Sequence, residues 1–156
     1  MNADRSQNII DLLIVHEEAV SRLYDSYASH FEDQRGFWAA LAQDELKHAE
    51  QIRQLASGIE KGIIIHDRAK LNSSAVKLSI DHVNSKYEQV KSKEITFINA
   101  LSVALSIEKS IIDGGFFDSF KGISKNAKQL VQDLKQGVEE HYNRIDKMWR
   151  ENRKFA

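Results

Sequence analysis

Glu45 and His48 stand three residues apart in "AQDELKHAEQIRQL" (residues 42–55), where a packed helix should present apolar side chains. Trp38, Leu41, Glu45, His48, Ile52, Leu55 and Ile59 are spaced by alternating threes and fours, the inward seam of an amphipathic helix. The pattern recurs. Glu17 falls in the seam Ile10, Leu13, Glu17, Val20, Tyr24, Tyr27, Phe31. Glu108 falls in Ile98, Leu101, Leu105, Glu108, Ile112, Gly115, and His141 in Ala127, Val131, Leu134, Val138, His141, Ile145, Met148. An unpartnered carboxylate in a core is costly, so each of these groups demands a partner. Three carboxylates and two imidazoles at mid-bundle can satisfy one another through a bound cation, and that donor set suits iron, manganese or zinc. Residues i and i+3 share a helix face, so Glu45 and His48 can both reach an ion beside it.

Each residue also has a plainer reading. Glu45 and His48 can form a buried hydrogen-bonded pair, with Glu17 a partner for His48 alone. Glu108 can pair with a lysine at the core edge, and His141 can be a satisfied core histidine. Tyr24 and Trp38, one heptad from these groups, could gate redox chemistry or hydrogen-bond to one of them, and their plainer reading is aromatic packing. His16, His30, His66 and His82 fall off the seams and read as surface residues.

The elements that must position these groups are long helices. The chain has no proline and seven glycines, and it lacks the period-two alternation that would mark a strand. Main helices are expected over about 6–31, 34–59, 96–119 and 124–152. Asp33 and Thr96 are candidate N-caps for the second and third, and the fourth starts near Ser124. Gly58 and Gly62 end the second helix, and residues 60–72 read as a connection. A further amphipathic helix covers about 73–91, with Val76, Ile80, Val83, Tyr87 and Val90 on one face, before "KSKEIT" breaks it.

The elements thus form two helical hairpins joined by a crossover of roughly 36 residues. A bundle helix of about 25 residues is about 37 Å long, and only so long a connection can climb back alongside it. The second and third main helices therefore run parallel. This is an all-α, ferritin-like four-helix bundle with one long crossover containing an additional helix, expected as a single domain over 1–156. Within the antiparallel first hairpin, Glu17 level with Glu45 also sets Tyr24 opposite Trp38. Glu17 precedes His48 by 31 residues and Glu108 precedes His141 by 33, so the two hairpins repeat one plan.

In "HEEAVSRLYDSYA", "DELKHAEQI", "ALSIEKSIID" and, less closely, "GVEEHYNRI", the chain resembles the rubrerythrin-like branch of the ferritin-like superfamily over roughly residues 8–150. That family places a Glu on helices one and three and a Glu-x-x-His on helices two and four, holding two metal ions. The resemblance implies Glu17 and Glu108 as the lone glutamates, Glu45 and His48 as the first Glu-x-x-His with Glu45 bridging, and His141 as the second histidine. Three before His141 stands Val138, not glutamate. Glu139 and Glu140 lie about 100° off that face and read as solvated, unless a register shift at Gly137 turns one inward. Three carboxylates do not neutralise two divalent cations, so a second ion should bind weakly or not at all.

The resemblance implies a non-haem iron oxidoreductase acting on peroxide or dioxygen, with one or two iron ions. The chain has no cysteine, which excludes disulfides, thiol catalysis and thiolate-held iron, so electrons would come from a separate donor protein. Two other functions stand beside it: a single-ion sensor or structural pin, and a metal-free bundle serving as a dimerisation or partner module. The fold also admits a homodimer. With 22 basic against 23 acidic residues, there is no electrostatic footprint for nucleic acid or anionic membrane. No apolar run is long enough to span a bilayer and "MNADRSQN" lacks a signal pattern, so a cytoplasmic location is the default expectation.

Overall fold

The computed structural model describes the backbone of residues 2–92 and 94–155, and side chains within 8–92 and 94–154. Its helices are α1 (Asn2–His30), α2 (Arg35–Glu60), α3 (Ser73–Ser92), α4 (Phe97–Asp113) and α5 (Lys125–Asn152). Alternating seams fold α1 against α2 and α4 against α5, with α3 laid along α1. Phe97 at the start of α4 meets Phe37 and Trp38 at the start of α2 and Phe31 just past the end of α1, while Phe116 just past α4 meets His16 at the middle of α1. Thus α4 runs parallel to α2 and antiparallel to α1. The architecture is the expected ferritin-like four-helix bundle with a helix-bearing crossover. Among the described residues, no helix is long and apolar enough to cross a membrane.

Burial follows the expected seams on α1, α2 and α5, where only the outermost members (Phe31, Ile59 and Met148) remain partly exposed. Tyr24 does face Trp38, with ring centroids 5.5 Å apart, and Tyr27 closes on the same indole at 4.7 Å. The α4 seam differs from expectation. Its buried face is Ala100, Leu101, Ala104, Ile107, Glu108 and Ile111, whereas Ile98 and Leu105 are half-buried and Ile112 is 37% exposed. Small alanines at the interface permit close approach and displace the bulkier leucine and isoleucines from the centre. Thr96 caps α4 through a reciprocal box with Asn99, and the Ser124 hydroxyl accepts from Ala127 N at the start of α5. Asp33 does not cap α2: it lies in a 3-10 turn over Glu32–Gln34, and Gln34 takes the cap position without a side-chain bond. Lys93, inside the expected break after α3, lies outside the described residues.

Contrary to the expectation of no strands, β1 (Ile64–His66) and β2 (Phe120–Gly122) pair antiparallel, with Ile65 opposite Lys121. The third main helix consequently ends at Asp113 rather than near 119. Ile63 O accepts from Ile123 N at 2.8 Å and Ser119 O from Asp67 N at 2.6 Å, extending the ladder. This small sheet ties the base of the crossover to the α4–α5 connection. Gly122 is obligatory there, because a Cβ would lie 2.4 Å from Lys128 N.

Candidate metal centre

Each of the four bundle helices delivers a buried polar side chain to the same depth. Glu17 comes from α1, Glu45 and His48 from α2, Glu108 from α4 and His141 from α5, and all five are buried. Glu45 is the hub. Its Oε1 is 2.8 Å from His141 Nδ1 and its Oε2 is 3.4 Å from His48 Nδ1, and the buried Glu17 carboxyl acts on it electrostatically. Glu108 Oε1 lies 3.7 Å from His141 Nδ1 and accepts from the Tyr24 hydroxyl at 2.8 Å. Of the two readings of Tyr24, the hydrogen bond to a cluster carboxylate is therefore the one the structure contains, alongside its ring packing on Trp38.

The two imidazoles lie unexpectedly close. Their centroids are 4.9 Å apart with planes 34° from parallel. One donor atom each from Glu45, His48 and His141 all fall within 4.8 Å of one another. Two hairpins that repeat one plan would be expected to hold one ion each, but here both histidines converge on one small group of donors. Gly137 makes this approach possible: a Cβ there would lie 2.5 Å from His48 Nε2. Val138 is buried among apolar side chains, while Glu139 and Glu140 are exposed on an uninterrupted α5, so no register shift replaces the missing carboxylate.

Charge is distributed as such crowding requires. Burial, then the neighbouring Glu45 charge, raises the Glu17 carboxyl well above its ordinary range. Burial works the same way on Glu45, but the Glu17 carboxyl and hydrogen bonds from His141 and His48 outweigh it and hold Glu45 ionised. Burial and the Glu45 charge raise Glu108 to about 7. For His141, burial favours the neutral ring, yet the Glu108 and Glu45 carboxylates overcome it and raise the imidazole to about 11. By themselves these side chains form a proton-sharing network. One atom falls outside it: Glu17 Oε2 is buried without a hydrogen-bond partner. Oxygen and imidazole donors with an unpartnered carboxylate oxygen fit a borderline divalent cation.

Three residues of this region carry no seam signal. Asp44 Oδ2 takes His141 Nε2 at 3.2 Å and Arg144 Nη1 at 3.1 Å, so the histidine is oriented by a carboxylate beyond the cluster. Asp44 directly precedes Glu45, and Arg144 is one turn beyond His141. A charge pair at that antiparallel level is the signal that could have found them. His16, expected at the surface, is fully buried: its Nε2 lies 2.7 Å from Ser79 Oγ on α3 and its ring meets Phe116 edge-on. The crossover helix covers the side of α1 that a bare hairpin would expose. His66 is likewise half-buried, stacked on Phe120.

Compared with family models, curated proteins and solved structures, the chain gives no match.

Proposed function

We propose that the chain is an iron-binding ferritin-like protein that uses one ion at the bundle centre as a non-haem oxidoreductase toward dioxygen or peroxide. The observation that supports it most is the convergence of Glu45, His48 and His141 donor atoms within 4.8 Å, flanked by the buried Glu17 and Glu108 carboxylates. Glu45, His48 and His141 would hold the ion, and the unpartnered Glu17 Oε2 would turn to it. When bound, iron supplies one-electron redox chemistry and Lewis acidity. The surrounding residues do the rest. Asp44 orients His141, Tyr24 holds Glu108 by a hydrogen bond, and the cluster carries protons that binding must displace. With no cysteine to hold an electron-supplying iron, reduction needs a separate donor protein. Manganese or zinc can occupy the same donors without that chemistry.

Loading with ferrous iron without oxygen, followed by desalting and metal analysis, tests this. About one ion per chain should remain, and it should raise Tm, because a ligand bound only to the native state at about 100 times its Kd adds about 2.7 kcal/mol. Glu45→Ala should lose both. No retained iron and no Tm shift would overturn the reading, and Glu45→Leu should then be neutral or stabilising. Val138 favours a second reading, a redox-inert single-ion pin, which retained iron without consumption of either oxidant would establish.

A further inference from the structure

The near balance of 22 basic and 23 acidic residues hides an uneven distribution. Along the helices cations commonly meet carboxylates: Lys47 and Arg144 pair with Asp44, Arg53 with Glu18 and Glu50, and Arg150 with Asp146. Around the small sheet that pattern breaks. Lys61 follows α2, Arg68 and Lys70 follow β1, Lys121 lies on β2, and Lys125 and Lys128 open α5. None of these six forms an ion pair or a side-chain hydrogen bond among the described residues. The described carboxylates of this end do not balance them, since Asp113 and Asp118 are held by Lys109 and Lys135, which leaves Glu60 and Asp67. The sheet in their midst is apolar on its outer face. Alternation along the two strands sends Ile64, His66, Phe120 and Gly122 inward and Ile63, Ile65, Lys121 and Ile123 outward. Ile65 is 54% exposed and Ile123 53%, so water is their only cover among the described residues.

Isoleucines set among unpaired cations at one end of a bundle match a partner that is anionic at its surface and apolar just beneath. We infer that this sheet face docks the protein on an anionic lipid bilayer, with Ile65 and Ile123 entering the head-group layer and the six cations facing its phosphates and carboxylates. The make-up of the face separates a bilayer from other polyanions. Protein interfaces favour arginine and aromatic side chains and are depleted of lysine, yet five of these six cations are lysines and no phenylalanine, tyrosine or tryptophan is exposed among them. Single-stranded nucleic acid calls for aromatic faces on which bases stack, and a duplex gains nothing from exposed isoleucine. At a bilayer both features are used. Lysine stems lie along apolar surface while their ammonium groups stay among phosphates, and the isoleucines leave water. The attachment is peripheral, because no described helix is long and apolar enough to span the membrane. It does not depend on an ion at the bundle centre.

Sedimentation of the full chain with vesicles tests this. It should bind phosphatidylcholine vesicles carrying phosphatidylserine at roughly one part in three, and not phosphatidylcholine alone. Salt should release it as the Debye length falls from about 10 Å at 0.1 M to about 3 Å at 1 M. Lys121→Glu with Lys125→Glu should weaken binding about 25-fold or more, at about fivefold for each lysine near the surface. Lys47→Glu with Lys147→Glu, the same change of net charge elsewhere, should leave it within about threefold. Ile65→Ser with Ile123→Ser should weaken binding about tenfold without altering its response to salt. Should Lys121→Glu disturb the sheet, Lys61→Glu with Lys128→Glu tests the same charge from outside it. Equal binding to both kinds of vesicle overturns the inference, as does equal weakening by the two lysine pairs. Loss with the lysine variants but none with the isoleucine variants would make the face a site for a nucleic acid or an acidic protein, and overturns the lipid assignment as well.

Discussion

At the scale of single residues, the cluster was legible because buried polarity interrupts an apolar seam. Glu17, Glu45, His48, Glu108 and His141 each break a run of three-and-four spacing, and all five are buried. Gly137, Asp44 and His16 were not legible, since their roles depend on what other helices bring to them. Gly137 is the sharpest case. In a helix interior glycine costs about 0.5–1 kcal/mol relative to alanine, so Gly137→Ala should help α5 taken alone. Yet the added Cβ would meet the His48 ring at 2.5 Å and drive it from the point it shares with His141. Gly137→Ala should therefore keep or raise the metal-free Tm while weakening manganese(II) binding about tenfold or more, as losing a ligand's orientation does. Competition against a chelator reads the affinity directly. Unchanged affinity would show that His48 is no ligand.

At the scale of elements, long helices announced themselves and short strands did not. A three-residue strand cannot display period-two alternation, so "IIH" and "FKG" carry no pattern separable from a connection. The α4 seam was misplaced because alternating alanines and leucines in "NALSVALS" fit two neighbouring faces, and packing against α5 chose the one with smaller residues. The crossover was expected from length alone, but its docking was not. The α3 helix buries only Val76, Ile80 and Val83 and adds polar anchors to α1, His16 to Ser79 and Arg22 to Asn84. His16 Nδ1 already has no partner. Ser79→Ala would leave both ring nitrogens buried and unsatisfied, at a cost of about 1–3 kcal/mol. Urea unfolding should show a lower midpoint with an unchanged slope, and adding His16→Phe should recover part of the loss. A neutral Ser79→Ala would mean that apolar contact alone docks α3.

At the scale of the whole molecule, the fold carries three carboxylates, two cluster imidazoles and His16 in its interior, and pH sets what that costs. Glu108, raised from 4.5 to about 7, holds its proton more tightly when folded, so its contribution is full below 4.5 and fades as pH rises to 7. Glu17 acts in the same direction and over a longer span. His141, raised from 6.5 to about 11, stabilises fully below 6.5 and loses that contribution as pH climbs through 11. His16 is opposite: burial, opposed in part by Glu45, lowers it from 6.5 to about 4, so folding loses stability as pH falls through that interval. Glu45, held low, costs stability only in acid. Above 6.5 every remaining contribution therefore declines, and the metal-free protein should lose Tm steadily from pH 6.5 to about 8.5. A bound divalent ion replaces those protons, so its affinity must rise over the same interval, and the metal-loaded protein should hold its Tm. Melting in chelator and in manganese(II), under nitrogen, should show a gap that widens with pH. Calorimetric titration in buffers of different ionisation enthalpy should show protons released on binding. A gap that stays constant or narrows would mean that the carboxylates and His141 keep their protons with the ion present, and that the charge held at the centre of this bundle is not there for a metal.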